Sequence, residues 1–311
     1  MHLPPLLQRR FVLVTGKGGV GKSTVAAVLA RLSARAGRRT LVCELNTRER
    51  IPGLFGQQPV GGEVTRIADN LWSVNIQPDM AMEEYALMKL RFRTLYRFVF
   101  ENPVVRNMVR IIPGVHHLLM MGKAFNHERE VEADGRPTWD TIIVDAPATG
   151  HGLTFFQLPR VIRDAVPAGN LHREAADMWA LLTDPRRTAV HLVTLPEELP
   201  VRETVELHGR LTRDLGMPLG HLFVNMMPPP LLDGAQAELF ARMAEPAAGT
   251  PLHDLWATGR IRMGREALAG SYRRQLEALH MPLVELPILY TRDFGPDQIG
   301  ALADRLLEQS R

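Results

Sequence analysis

Short apolar runs alternate along this chain with longer stretches in which apolar side chains recur every three or four positions. Phe11 to Thr15 is an apolar run that ends in a glycine-rich turn, and from Lys22 to Ala36 the spacing is helical until Gly37 closes it. Thr40 to Leu45 is a second apolar run. Strand, glycine turn, helix and strand in succession predict a βαβ unit and hence a parallel sheet. Further strands are predicted at Leu71 to Ile76, Thr141 to Val144, Val190 to Thr194, His221 to Asn225 and Leu283 to Leu286, with helices at Val201 to Leu215, Arg265 to Leu279 and Pro296 to Glu308. Most of these strands are continuous apolar runs, the pattern of strands buried on both faces. The predicted fold class is α/β, a doubly wound, mostly parallel sheet forming one domain over residues 1–311.

One region breaks the rhythm. From Met80 to about Glu132 no strand pattern occurs, so a helical insertion is predicted at approximately 79–132. It holds Met80, Met82, Met88, Met108, Met120 and Met121, six of the 14 methionines, with Arg91, Arg93, Arg97, Arg106 and Arg110 among them and Pro103 and Pro113 as breaks. Flexible thioether side chains suit a surface that meets varied apolar partners, and they suit core packing equally well. Glu128, Glu130 and Glu132 read as a solvated charged stretch.

Composition narrows the classes. The 311 residues are 45% hydrophobic and 23% charged, ordinary for a globular chain with a sizeable core. A net charge of +3 is too small for a protein that coats nucleic acid. The single cysteine, Cys43, excludes an internal disulfide or a Cys₄ zinc site and fits a reducing, cytoplasmic setting. Its apolar neighbours make it a buried small hydrophobe. No run is long enough for a spanning helix, so no direct membrane insertion is expected. Met1 to Arg10 does not read as a signal peptide.

The strongest chemical signal is Gly16-Lys17-Gly18-Gly19-Val20-Gly21-Lys22-Ser23. It fits the phosphate-loop pattern in its required setting, with a strand before and a helix after. Gly16, Gly18, Gly19, Val20 and Gly21 would turn backbone N–H groups toward phosphate, and Lys22 would reach the β- and γ-phosphates. Ser23 would sit on Mg²⁺, and Thr24 would reach the α-phosphate. The expected ligands are ATP and Mg²⁺.

The additional Lys17 resembles the signature lysine of the deviant Walker A ATPases, which include the MinD/ParA, nitrogenase iron protein and ArsA/Get3 groups. The run Asp145-Ala146-Pro147-Ala148-Thr149-Gly150-His151, followed by Gln157-Leu158-Pro159, is similar to the D-x-A-P-T-G-H…L-P pattern of the ArsA/Get3 family, with the Ala-Pro pair shifted. The resemblance extends over most of the chain, with L-T-D-P-R-R-T and T-L-P-E-E-L-P similar to the single-domain bacterial members that occur as paralogous pairs. It implies that Lys17 reaches a partner subunit's phosphates and that Asp145 is the Walker B carboxylate near the metal. It also implies a nucleotide sensor at Pro147 to His151, with Asn225, Pro287 and Ile288 at the adenine. A homodimer, or a heterodimer with a paralogous ATPase, follows, with a hydrophobic protein segment as a candidate client.

Departures from the family qualify this picture. One cysteine cannot supply the thiol cluster of an arsenite carrier, the C-x-x-C zinc site of a Get3 dimer or the ligands of an iron–sulfur cluster. Where the family's switch I aspartate orients the attacking water, this chain has Asn46, which cannot accept the water's proton. Glu44, two residues earlier, is the nearest substitute. Two alternatives stay open: a positioning ATPase of the MinD/ParA kind, and a hydrolysis-deficient regulatory subunit. Against the first, the last segment is charge-balanced rather than basic, unlike a membrane-docking helix.

Overall fold

A computed structural model describes residues 5–45, 48–77, 115–165 and 167–309. Eight strands form one sheet: β1 (Phe11–Gly16), β2 (Thr40–Glu44), β3 (Thr65–Ala68), β4 (Leu71–Asn75), β5 (Thr141–Asp145), β6 (Thr188–Thr194), β7 (Leu219–Met227) and β8 (Leu283–Pro287). Their order is β3-β4-β2-β5-β1-β6-β7-β8, and every pairing is parallel except that of edge strand β3 with β4. The chain runs outward from β1 through β2 to β4, returns at β5, and crosses to β6 on the other side of β1. Such a reversal opens a crevice at the carboxyl ends of the strands, where doubly wound folds bind ligands.

The sheet is sandwiched between helices. On one face lie α1 (Lys22–Arg35), the four-residue α2 (Ile51–Leu54) and α9 (Pro296–Gln309), whose Val25, Leu29, Ile51, Ile299 and Leu302 pack with Val12, Val14, Ile143 and Phe223. On the other lie α3 (Val115–Arg129), α4 (Thr149–Ala165), α5 (Asn170–Thr183) and α6 (Glu198–Gly209), covering Phe11, Leu13, Ile142, Val144, Leu222 and Val224. Successive residues of a strand thus go to opposite apolar layers, which is why these strands read as unbroken apolar runs. Between β7 and β8 stand α7 (Gly234–Arg242) and the long α8 (Pro251–Glu277).

The predicted strands are present, most a residue or more longer than the apolar run alone suggests. β3 carries no such run: it is a half-exposed edge strand joined to β4 through Asp69-Asn70, with Asn70 at φ 57°. Most of the expected insertion at 79–132 falls outside the described residues. Its C-terminal part is α3, whose Met120, Met121, Ala124 and Phe125 are buried in the core. Cys43 is fully buried, as expected.

Glu128 corrects one expectation. It is only 3% exposed, and its carboxylate accepts from Arg187 Nη2 at 2.7 Å and lies 3.3 Å from Arg10 Nη1. Those arginines immediately precede β6 and β1, so Glu128 ties the end of α3 to the foot of two central strands. Truncating one member of a buried pair leaves uncompensated charge, softened here because both arginines reach solvent. Glu128→Ala is expected to lower unfolding free energy by about 2 kcal/mol, measured from the urea midpoint.

Candidate functional site

β1 brings the chain to the centre of the sheet, between β5 and β6, and glycine makes the turn that follows. A Cβ on Gly16 would stand 2.2 Å from the Val193 carbonyl oxygen, so only glycine fits against β6. The turn ends at Gly21 (φ 91°), the N-cap of α1, which has no side-chain cap. The N–H groups of the first turn of α1 are therefore open at the crevice, with the positive end of the helix dipole behind them.

Three side chains converge there. Lys22 Nζ folds back over the loop and donates to the Lys17 carbonyl at 2.9 Å. Burial holds its pKa below the ordinary lysine range, with the Asp145 charge opposing. Ser23 Oγ donates to Asp145 Oδ2 at 2.6 Å. Asp145 ends β5 with no exposed surface, and its other oxygen, Oδ1, has no hydrogen-bond partner among the described residues. Burial pushes this carboxyl up to about 6, while the Ser23 hydroxyl, Lys22 and Arg50 pull it down.

Glu44 stands beside Asp145 in the parallel register of β2 and β5. Its Oε1 accepts from the backbone N–H of Arg50 at 2.8 Å, and burial pushes it up to about 8 although backbone N–H groups of Arg50 and Ile51 favour the charged form. Asn46 lies outside the described residues. β2 ends at Glu44.

The remaining predicted positions surround this cluster. Lys17 is turned toward α6, where its Nζ lies 3.1 Å from Glu203 Oε1. Ala148 packs against the loop, 3.7 Å from a Cβ built on Gly18, and α4 begins at Thr149; the side chains of 149–154, His151 included, lie outside the described residues. Asn225 is 4% exposed and its Nδ2 donates to the Val20 carbonyl at 2.9 Å. Pro287 ends β8, the strand next to that of Asn225, and just past it the Ile288 N–H donates to the Met227 carbonyl at 3.0 Å. Thr24 sits in the first turn of α1. Glu203 and Arg50 carried no signal in the sequence, because each looks like one more charge on a polar segment.

The oxygens of Ser23 and Asp145 suit a hard divalent cation, and the unpartnered Oδ1 is a buried acceptor still without a donor. No group of three or more His, Cys, Asp or Glu able to hold a metal occurs among the described residues. Mg²⁺ bound beside a phosphate needs few protein groups, and the Ser23–Asp145 pair would fit such an ion.

The family described as anion-transporting ATPase matches residues 9–170, the segment from β1 to the start of α5. The chain belongs to the ArsA/Get3 family of P-loop ATPases. It is 32% identical over 297 residues to ATPase BagA of Mycobacterium tuberculosis, an alignment that spans 89% of this chain and 87% of that relative. It is 27% identical over 158 residues to ATPase ASNA1 homolog 1 of Paramecium tetraurelia, spanning 49% of this chain and 44% of that one.

In this ArsA/Get3 ATPase both buried carboxyls keep protons that the unfolded chain releases. The folded state therefore binds more protons between the ordinary carboxyl range and about pH 6 for Asp145 or about pH 8 for Glu44, and stability falls as pH rises through those windows. Asp145→Asn removes its share. Measured in urea, the stability of Asp145→Asn relative to the unsubstituted chain should rise from pH 4 and level off above about pH 6. A constant difference across that range would contradict the assignment.

Proposed function

We propose that the chain is an ATP-binding and ATP-hydrolysing molecular switch that works as a dimer. One observation carries the reading: a serine hydroxyl at the start of an uncapped helix bonds at 2.6 Å to a buried strand-end carboxyl whose second oxygen has no partner among the described residues. In this reading Gly16 to Gly21 wrap the phosphates, Lys22 pairs with the β- and γ-phosphates, and Thr24 meets the α-phosphate. Asn225, Pro287 and Ile288 flank the adenine. Ser23 and Asp145 would hold Mg²⁺, which would supply charge neutralisation at the phosphates.

Lys17 supplies the remaining positive charge to the partner subunit's phosphates. It must first leave Glu203, and a half-exposed ion pair is worth at most about 1 kcal/mol. A donor placed on developing transition-state charge lowers the barrier by about 3 kcal/mol, more than the loss of that pair costs. Asn46 orients the attacking water without taking its proton, which makes turnover slow. The family membership, the phosphate-loop geometry and the match to ATPase BagA over nearly the whole chain support this reading.

Coupling to a client rests on the Met-rich insertion, whose composition suits a hydrophobic protein segment. Arsenite is not the cargo: the one cysteine is buried, and burial pushes its thiol pKa up, away from thiolate. Among the described residues no helix is long and apolar enough to cross a membrane.

The test is single-turnover ATP hydrolysis at high protein concentration. Lys17→Ala should keep ATP affinity within about threefold and lose about 100-fold in rate. Asn46→Asp should raise turnover. Tight ATP binding with no hydrolysis, unchanged in Asn46→Asp, would instead make the chain the regulatory half of a heterodimer.

A further inference from the structure

The Val20 carbonyl is part of the phosphate loop, yet its hydrogen bond goes to a strand two places away in the sheet. The donor is Asn225 Nδ2 at 2.9 Å. A carbonyl only accepts, so the amide nitrogen is the end that must face it. The contact is tight on both sides: a Cβ on Gly21, the next residue of the loop, would stand 2.1 Å from the same Nδ2. Val20 is itself 1% exposed, with its side chain in the core that α1 shares with the sheet. The loop is thus held at one residue by an apolar anchor below and an amide above.

The backbone of β7 is distorted at this position. β7 and β8 pair at Val224 with Glu285 and next at Met227 with Pro287, so β7 holds one residue more than its neighbour. Met226 lies in the left-handed region at φ 56°, a conformation that costs a residue with a side chain about 1 kcal/mol or more. Bulges of this kind re-aim a neighbouring side chain. Here that neighbour is Asn225, whose place after Phe223 puts it on the α1 side of the sheet.

We propose that Asn225 is a positioning residue for the phosphate loop. Its amide fixes the Val20 carbonyl, which keeps Gly21 left-handed and the first-turn N–H groups of α1 aimed at the phosphates. An asparagine that gives one N–H to the loop retains a second N–H and an oxygen for the base, so one side chain links base recognition to phosphate grip. The inference rests on the nucleotide-binding reading and extends it.

The two roles separate with a ligand that has no base. Affinities of ATP and of inorganic tripolyphosphate, each with Mg²⁺, are measured by calorimetry on the full chain and on Asn225→Ala, below the melting temperature of both. A positioning role weakens both ligands, each by about tenfold for one lost hydrogen bond. A loss confined to ATP overturns the proposal, because Asn225 would then serve only the base. A lower melting temperature with both affinities unchanged overturns it as well, since the bond would be merely structural. Asn225→Leu, which keeps the branched shape without the donor, takes the place of the alanine variant if that fails to fold. Failure of the unsubstituted chain to bind either ligand would bring down the nucleotide reading and this inference together.

Discussion

A carboxyl group with no exposed surface, at the end of a central strand, is the constraint around which the crevice is arranged. Burying a charge is expensive unless it is paired and hydrogen-bonded, and Asp145 is only half provided for. Ser23 satisfies one oxygen, Lys22 and Arg50 lend positive charge, and the other oxygen has no partner among the described residues. Burial pushes both Asp145 and its neighbour Glu44 on the next strand toward the neutral form, and the Asp145 charge adds to the push on Glu44. A site arranged this way is less stable empty than it would be with a cation. The free energy withheld in folding becomes available to binding, the usual trade between stability and function.

Most of the fold was legible because its strands lie between two apolar layers. Phe11, Val12, Leu13 and Val14 all need to be apolar when successive residues enter opposite cores, and a continuous run reports that directly. β3 escaped for the converse reason: an edge strand with exposed positions carries no such run. α8 was read only in its second half; its first half buries little beyond Gly259. Glu128 was misread since a sequence does not reveal that Arg10 and Arg187 arrive from two other elements to meet it.

The site divides along the same line. Lys22, Ser23 and Asp145 were legible because the phosphate-loop pattern and a strand-end aspartate are local signals with a fixed chemical meaning. The bonds that organise them are long-range. Nothing in the residues around Glu203 announces Lys17, and nothing around Val20 announces Asn225, some two hundred positions later. Sequence pattern locates groups that must be of one chemical type, whereas contacts between elements distant in the chain emerge only from the packing.

Two ion pairs show how burial sorts the rigid from the exchangeable. Glu128 is 3% exposed and binds arginines that precede β1 and β6, at the opposite end of the sheet from the phosphate loop. Removing the arginines would strand the Glu128 charge in low dielectric, so the contact persists through any change at the crevice. Lys17 and Glu203 pair at nearly the same separation, but their side chains are 26% and 35% exposed. Water can replace each partner there at little cost, and salt screens what remains. The foot of the sheet is therefore a fixed frame, while the lysine at its top can change partners without disturbing the core. The nucleotide switch proposed for this chain would need both: a base that does not yield, and a charge that can be given to something else.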